Sequence, residues 1–90
     1  MKIVKNGLVY NTETSKQIYF DGDNMFYRTV KGSFFSINDE TNGIKSYTEI
    51  EVMDEYLNYL ERNGRTYEMD DEVNEELPNL LKYVESLVEA

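Results

Sequence analysis

The sequence predicts an α+β fold: an N-terminal antiparallel sheet of four or five strands packed against two C-terminal helices. Three observations carry that expectation. Turn residues cut the first half into short, β-prone apolar runs. From about residue 51 the apolar spacing changes from two to the three and four of a helix. The charge divides at the same place. Residues 48–90 hold thirteen of the eighteen carboxylates and three of the nine bases, a net of −10, against +1 for residues 1–47.

Each element has its own signal. Lys2–Lys5 and Leu8–Tyr10 flank Asn6-Gly7, a dipeptide that tolerates positive φ at both positions and so favours a two-residue hairpin. After the polar turn Asn11–Ser15, Lys16–Phe20 alternates, with Ile18 and Phe20 on one face. Asp21-Gly22-Asp23-Asn24 is a turn, Met25–Val30 is β-prone, and Lys31-Gly32 reverses the chain. Ser33–Ile37 follows with Phe35 and Ile37 on one face, then the loop Asn38–Gly43 and a last strand within Ile44–Ile50. Met53, Tyr56, Leu57 and Leu60 fall at i, i+3, i+4 and i+7 on one helix face. Gly64 is its expected stop. Two starts fit: Thr48 with Glu51 forms a capping-box pattern, and Asp54 offers a later cap that leaves Thr48–Val52 as strand. Val73, Leu77, Leu80, Leu81, Val84, Leu87 and Val88 form a second helical stripe. Pro78 interrupts it, removing a backbone donor and crowding the carbonyl of Asn74. The stripe keeps its phase across Pro78, which favours a kink over a break.

Ninety residues make a single domain, with the meander over 1–50, one helix over 51–64 and an acidic second helix over 70–89. The core is expected to include Ile3, Ile18, Phe20, Phe35, Ile37, Met53, Leu57, Leu60, Val73, Leu77, Leu80, Val84 and Leu87. The chain has no cysteine and no histidine, so it lacks a thiol nucleophile and a base that titrates near neutral pH. Gly-rich phosphate loops, serine elbows and metal-ligand spacings are missing too. The expectation is a non-enzyme with no catalytic residue, no metal and no cofactor. Residues 1–6 show no apolar signal region and no run approaches the length of a membrane span, which points to a protein of the cytoplasm with no membrane partner.

The acidic helices are the candidate site. On the first, Glu51, Asp54, Glu55 and Glu61 oppose the apolar face. Around the second lie Asp70, Asp71, Glu72, Glu75 and Glu76. Like charges four apart destabilise a helix by a few tenths of a kcal/mol per pair, and a surface built for solubility alone would interleave lysines. Carboxylates in rows resemble phosphates along a nucleic-acid strand, and would dock in a groove lined with Lys and Arg. Two other sites fail on inspection. Asp21-Gly22-Asp23-Asn24 opens like a calcium loop, but Met25 and Gly32 stand where the fifth and twelfth ligands belong. Tyr27, Arg28, Phe34 and Phe35 could stack on bases, yet a net charge of −9 repels nucleic acid, and packing under the helices is the expectation for them.

Two segments, Asn6-Gly7-Leu8-Val9-Tyr10-Asn11-Thr12-Glu13-Thr14 and Tyr27-Arg28-Thr29-Val30-Lys31-Gly32-Ser33-Phe34-Phe35, resemble a group of small proteins of Gram-positive bacteria, their phages and mobile elements. Tyr59-Leu60-Glu61 followed by Gly64 is similar to the end of that group's helix. The resemblance covers about residues 1–64. Longer members carry a Gly/Ser/Arg-rich loop after the aromatic pair, here reduced to Asn38–Gly43, and the acidic segment from Arg65 onward is an addition. The group brings no residue roles. It implies a phage or mobile-element setting, where small acidic proteins disable host immune nucleases. The expectation is therefore an anti-CRISPR-like inhibitor, a DNA mimic acting in the host bacterial cytoplasm. Its acidic helices would occupy the basic nucleic-acid channel of a defence protein, a CRISPR effector foremost, with no direct nucleic-acid binding. The alternative is a self-associating structural or regulatory module, a homodimer built on the helix stripe or the mildly basic sheet half.

Overall fold

Asn6 and Gly7 take φ values of 52° and 76°, the backbone that a tight turn between two right-twisting strands requires. The computed structural model that shows this describes residues 1–65 and 69–87. Among these residues the fold is α+β, with six antiparallel strands followed by three helices. It divides into two compact units, Met1–Thr48 and Glu49–Ala90.

In the first unit, β1 (Lys2–Lys5) and β2 (Leu8–Asn11) form a two-stranded hairpin, with Val4 opposite Val9 and Ile3 opposite Tyr10. The strands β3 (Lys16–Phe20), β4 (Asn24–Arg28), β5 (Phe34–Asn38) and β6 (Ile44–Tyr47) form a separate sheet in sequential order. The strands thus make two sheets, of two and four strands, where the sequence predicted one. The Asn11–Ser15 turn separates them: the Asn11 carbonyl accepts both the Ser15 N–H at 3.1 Å and its hydroxyl at 2.6 Å. The chain leaves the hairpin there without pairing β2 to β3.

The hairpin lies across one face of the larger sheet. Tyr10 meets Phe35 at 5.2 Å between ring centroids, and Phe35 stacks on Tyr27 at 4.9 Å. With Ile37 these rings form a buried cluster, flanked by Ile3, Met25 and Ile44. The Lys5 ammonium clips the hairpin down by donating to the Ile44 carbonyl at 2.9 Å. The opposite face of the sheet carries Phe26, stacked on Tyr19 at 4.5 Å and 5.3 Å from Tyr47. Beside them the buried Ser36 hydroxyl shares a 2.9 Å hydrogen bond with the Tyr47 hydroxyl. Consequently β5 is buried on both faces, from Phe34 to Ile37.

Side-chain alternation fails once. The β3–β4 register shifts between Gln17 and Tyr19, and such a bulge re-aims the residues that follow. Tyr19 is buried beside Ile18, and Phe20, expected in the core, is exposed.

The second unit begins with α1 (Glu49–Arg62). Its start places Thr48 at the cap position and excludes the later start at Asp54. Gly64, at φ 66°, ends the course of α1. The Arg65 N–H reaches the Leu60 carbonyl at 2.8 Å and the Gly64 N–H reaches that of Glu61 at 3.1 Å, the paired bonds of a glycine-terminated helix. The second helix is broken, not kinked: α2 (Asp71–Glu76) and α3 (Leu80–Ser86) are separate. Leu77, at φ −122° and ψ 70°, has left the helical region, as the residue before a proline tends to. The stripe keeps its phase only as far as burial shows. Val73, Leu77 and Leu80 are buried, Val84 is half-buried, and Leu81 and Leu87 are exposed. Ile3 and Leu57 are also only half-buried. Tyr10, Tyr19, Phe26, Tyr27, Phe34, Val52 and Tyr56 join the core in addition to the expected residues. Glu68, Val88 and Glu89 lie outside the described residues.

Candidate functional site

The acidic face starts from helix geometry. At 3.6 residues per turn, Glu51, Asp54, Glu55, Asn58, Glu61 and Arg62 share one side of α1, and Val52, Met53, Tyr56 and Leu60 share the other. The second set is buried. Of the first, Glu55 is half-buried and the rest are exposed. Around α2, Val73 and Leu77 point inward, while Asp70, Asp71, Glu72 and Glu75 are exposed and Glu76 is half-buried. All nine candidate carboxylates thus belong to one compact unit, seven of them exposed.

Three polar contacts hold the elements bearing these charges. The Tyr56 hydroxyl, fully buried with its ring, accepts the Asp70 N–H at 3.1 Å. This joins the middle of α1 to the start of α2. The Tyr83 hydroxyl of α3 donates to the Asp54 carboxylate, and that bond, ahead of burial, raises the Tyr83 phenol above its ordinary value. The Asn79 amide donates to Glu49 at 3.0 Å. Asp70 is further engaged by the Arg65 guanidinium at 3.0 Å, so its carboxylate does not cap α2. None of these pairings was singled out from the sequence. Tyr56 was read only as an apolar position, although a buried tyrosine almost always finds a partner for its hydroxyl.

Burial raises the Tyr56 phenol above its ordinary value, helped by the Asp70 carboxylate and by Tyr59 and opposed by the Asp70 N–H and by Arg65. A phenol with a raised folded-state value holds its proton more tightly when folded. The stability it contributes is full below about pH 10 and is lost as pH rises through the folded-state value. Tyr56→Phe is expected to cost about 1 kcal/mol at neutral pH through the lost acceptor. It also removes Tyr56's share of the alkaline loss. Urea unfolding at pH values on both sides of 10 reads both effects; an unchanged alkaline slope in the variant would contradict the linkage.

Electrostatically the face is unbalanced by sequence alone. The unit's own bases, Arg62, Arg65 and Lys82, can neutralise three of its thirteen carboxylates. Pairs such as Asp71 with Glu75 and Glu72 with Glu76 stand four apart, where like charges cost about 0.2–0.5 kcal/mol each. On α1 four carboxylates, Glu51 to Glu61, span about 15 Å of helix axis, against one phosphate per ~3.4 Å of a nucleic-acid strand. The row is sparser than a strand of phosphates and of the same order.

The other two sequence candidates resolve as structure. Asp21 Oδ1 accepts the Asp23 and Asn24 N–H groups at 2.9 and 2.8 Å, which makes the segment a side-chain-closed turn. Among the described residues no group of three carboxylates is placed to hold a metal ion. Tyr27, Phe34 and Phe35 are buried, and Tyr27 and Phe35 lie under Tyr10 of the hairpin, where the sequence had placed them under helices. No helix of the described residues is long and apolar enough to cross a membrane. Comparison of the chain with protein-family models, with curated proteins and with solved structures gives no match.

Proposed function

We propose that this chain is an anti-CRISPR-like inhibitor. The acidic face of its helical unit docks in the Lys/Arg-lined nucleic-acid channel of a bacterial immune effector and takes the place of phosphate there. A single observation carries the reading: thirteen carboxylates against three bases in one unit, with seven of the nine candidate side chains exposed. Such a surface is costly to fold and gains most from a cationic partner, since binding relieves the internal repulsion and releases counterions from both surfaces. CRISPR effectors fit as targets because they hold a heteroduplex in a positively charged channel by its backbone, not by its sequence. The phage or mobile-element setting follows the resemblance of residues 1–64 to that group.

The test is competition. Added to a purified effector loaded with labelled guide–target duplex, or with its protospacer duplex, the protein should raise the apparent Kd for nucleic acid in proportion to its own concentration. Binding that leaves nucleic-acid affinity unchanged would refute the mimic. The self-associating alternative draws on the exposed Ile50, Leu81 and Leu87 of the helical unit. It requires a dimer in sedimentation that persists at high salt.

A further inference from the structure

A groove on the sheet unit has the form of a strand-docking site. It encloses about 370 Å³ and is lined by Gly7–Asn11 of the hairpin, by Thr14 and Ser15 of the turn that follows, and by Thr29, Val30, Lys31 and Ser33 of the β4–β5 connection. Side chains alternate across a strand, so a wall made of five consecutive residues presents the strand's edge. Among the described residues β2 pairs only with β1, which leaves that edge open.

Hydrogen-bond phase says which groups face outward. In an antiparallel pair alternate residues turn N–H and C=O toward the neighbouring strand. Lys5 and Leu8 do so at the two-residue turn, and the Thr12 N–H on the Met1 carbonyl at 2.9 Å keeps the phase. Val9 and Asn11 therefore turn their backbone groups away from β1, into the groove. The Asn11 carbonyl is taken by Ser15. Neither backbone group of Val9 has a hydrogen-bond partner among the described residues. A strand entering the groove would exchange two bonds with Val9 and add one from the Asn11 N–H.

The side chains state the chemistry of the guest. Leu8, Val9 and Val30 are 57%, 61% and 82% exposed, an apolar lining that water covers poorly. Among the described residues, Lys31 is the one charged residue of the lining, and no carboxylate joins it. Lys16 and Arg28 are paired in register at the same end of the sheet. The carboxylates Asp21, Asp23, Asp39 and Glu40 sit on the loops at the other end, which the Asp39 N–H ties together through the Asp23 carbonyl. Glu13 lies 3.8 Å from the N-terminal ammonium. The groove's end of the unit is positive.

We infer that this groove binds an extended, acidic, aliphatic peptide segment of a partner protein as a third strand on β2, with Lys31 taking its carboxylate. Strand addition of this kind draws affinity from the main chain and selectivity from the side-chain pockets. It also completes a hairpin that two strands alone stabilise poorly. The site is independent of the acidic face.

The probe is a terminally blocked Val-Thr-Val-Asp-Val peptide titrated into the full-length protein, with amide chemical shifts as readout. Saturable shifts centred on Val9, Asn11, Val30 and Lys31 are expected, and the same peptide N-methylated at alternate amides should not bind. Lys31→Glu, on an exposed loop, should weaken binding roughly tenfold. Val9→Pro removes only an outward N–H, a change an edge strand tolerates, and should weaken it about fivefold. The absence of saturation at millimolar peptide would overturn the assignment, as would equal binding of the N-methylated peptide. So would a concentration-dependent dimer dissociated by Val9→Pro, because the groove's guest would then be a second copy.

Discussion

Reversing Glu61, Asp71, Glu72 and Glu75 to lysine is expected to weaken binding to the basic channel of an effector roughly a thousandfold, at about 1 kcal/mol per reversed charge. These four are chosen because their side chains make no hydrogen bond or ion pair among the described residues, and all are exposed. The substitutions move the helical unit from −10 to −2. Folding should survive, since the four side chains are exposed and, of the two like-charge pairs four apart, Glu72 with Glu76 becomes attractive while Asp71 with Glu75, both reversed, keeps a repulsion of the same size. Circular dichroism and thermal unfolding of the variant provide that control. A folded variant that still binds at wild-type strength would show that the acidic face is only a solvated surface.

The largest effect on stability is expected in the sheet unit, at Phe35→Ala. Phe35 is fully buried, stacked on Tyr27 and in contact with Tyr10 of the hairpin. Its loss removes the central ring of the cluster in which the two sheets meet. Truncating a buried phenylalanine typically costs about 3–5 kcal/mol through lost transfer energy and the cavity left behind. For a domain whose total stability is about 5–15 kcal/mol, that is a large fraction. Denaturant unfolding should show a much lower midpoint, and the hairpin amides should lose protection from hydrogen exchange. A change below about 1 kcal/mol would mean that the Tyr10–Phe35–Tyr27 stack does not hold the hairpin to the sheet.

The parts of this fold legible in the sequence are those written in local chemistry. Asn6-Gly7 announces its turn because few other dipeptides accept two positive φ values. Gly64 announces the end of α1 for a related reason. The strand boundaries follow from the turn residues between them. What escaped depends on contacts distant in sequence or on competition between rules. The bulge before Tyr19 exchanged Phe20 for Tyr19 in the core, and no residue in Lys16–Phe20 marks it. At Pro78 the continuous stripe argued for a kink. The restriction on Leu77 outweighed it, and the two short helices begin and end around that residue. The split into two sheets arises at Asn11–Ser15, whose polar composition gives a turn but not its direction.

The candidate site was legible as composition and not as architecture. The carboxylates that face outward from α1 and α2 could be placed from helical spacing alone. The contacts that organise them, Tyr56 to Asp70, Tyr83 to Asp54 and Asn79 to Glu49, join residues 14 to 30 positions apart. Only the hydroxyl tips of the two tyrosines hinted that such partners exist. The groove beside β2 was equally hidden, because an open strand edge shows only after the pairing of every strand is known.

The most direct measurement of the central claim is the association constant for a purified effector as a function of salt concentration. Carboxylates standing in for phosphates predict a logarithmic plot that falls steeply and linearly, losing about two or more orders of magnitude between 50 and 200 mM salt. The charge-reversed variant should give a shallower line. A wild-type affinity that stays flat across that range would contradict the phosphate-mimic account, because the bond would then rest on apolar contact.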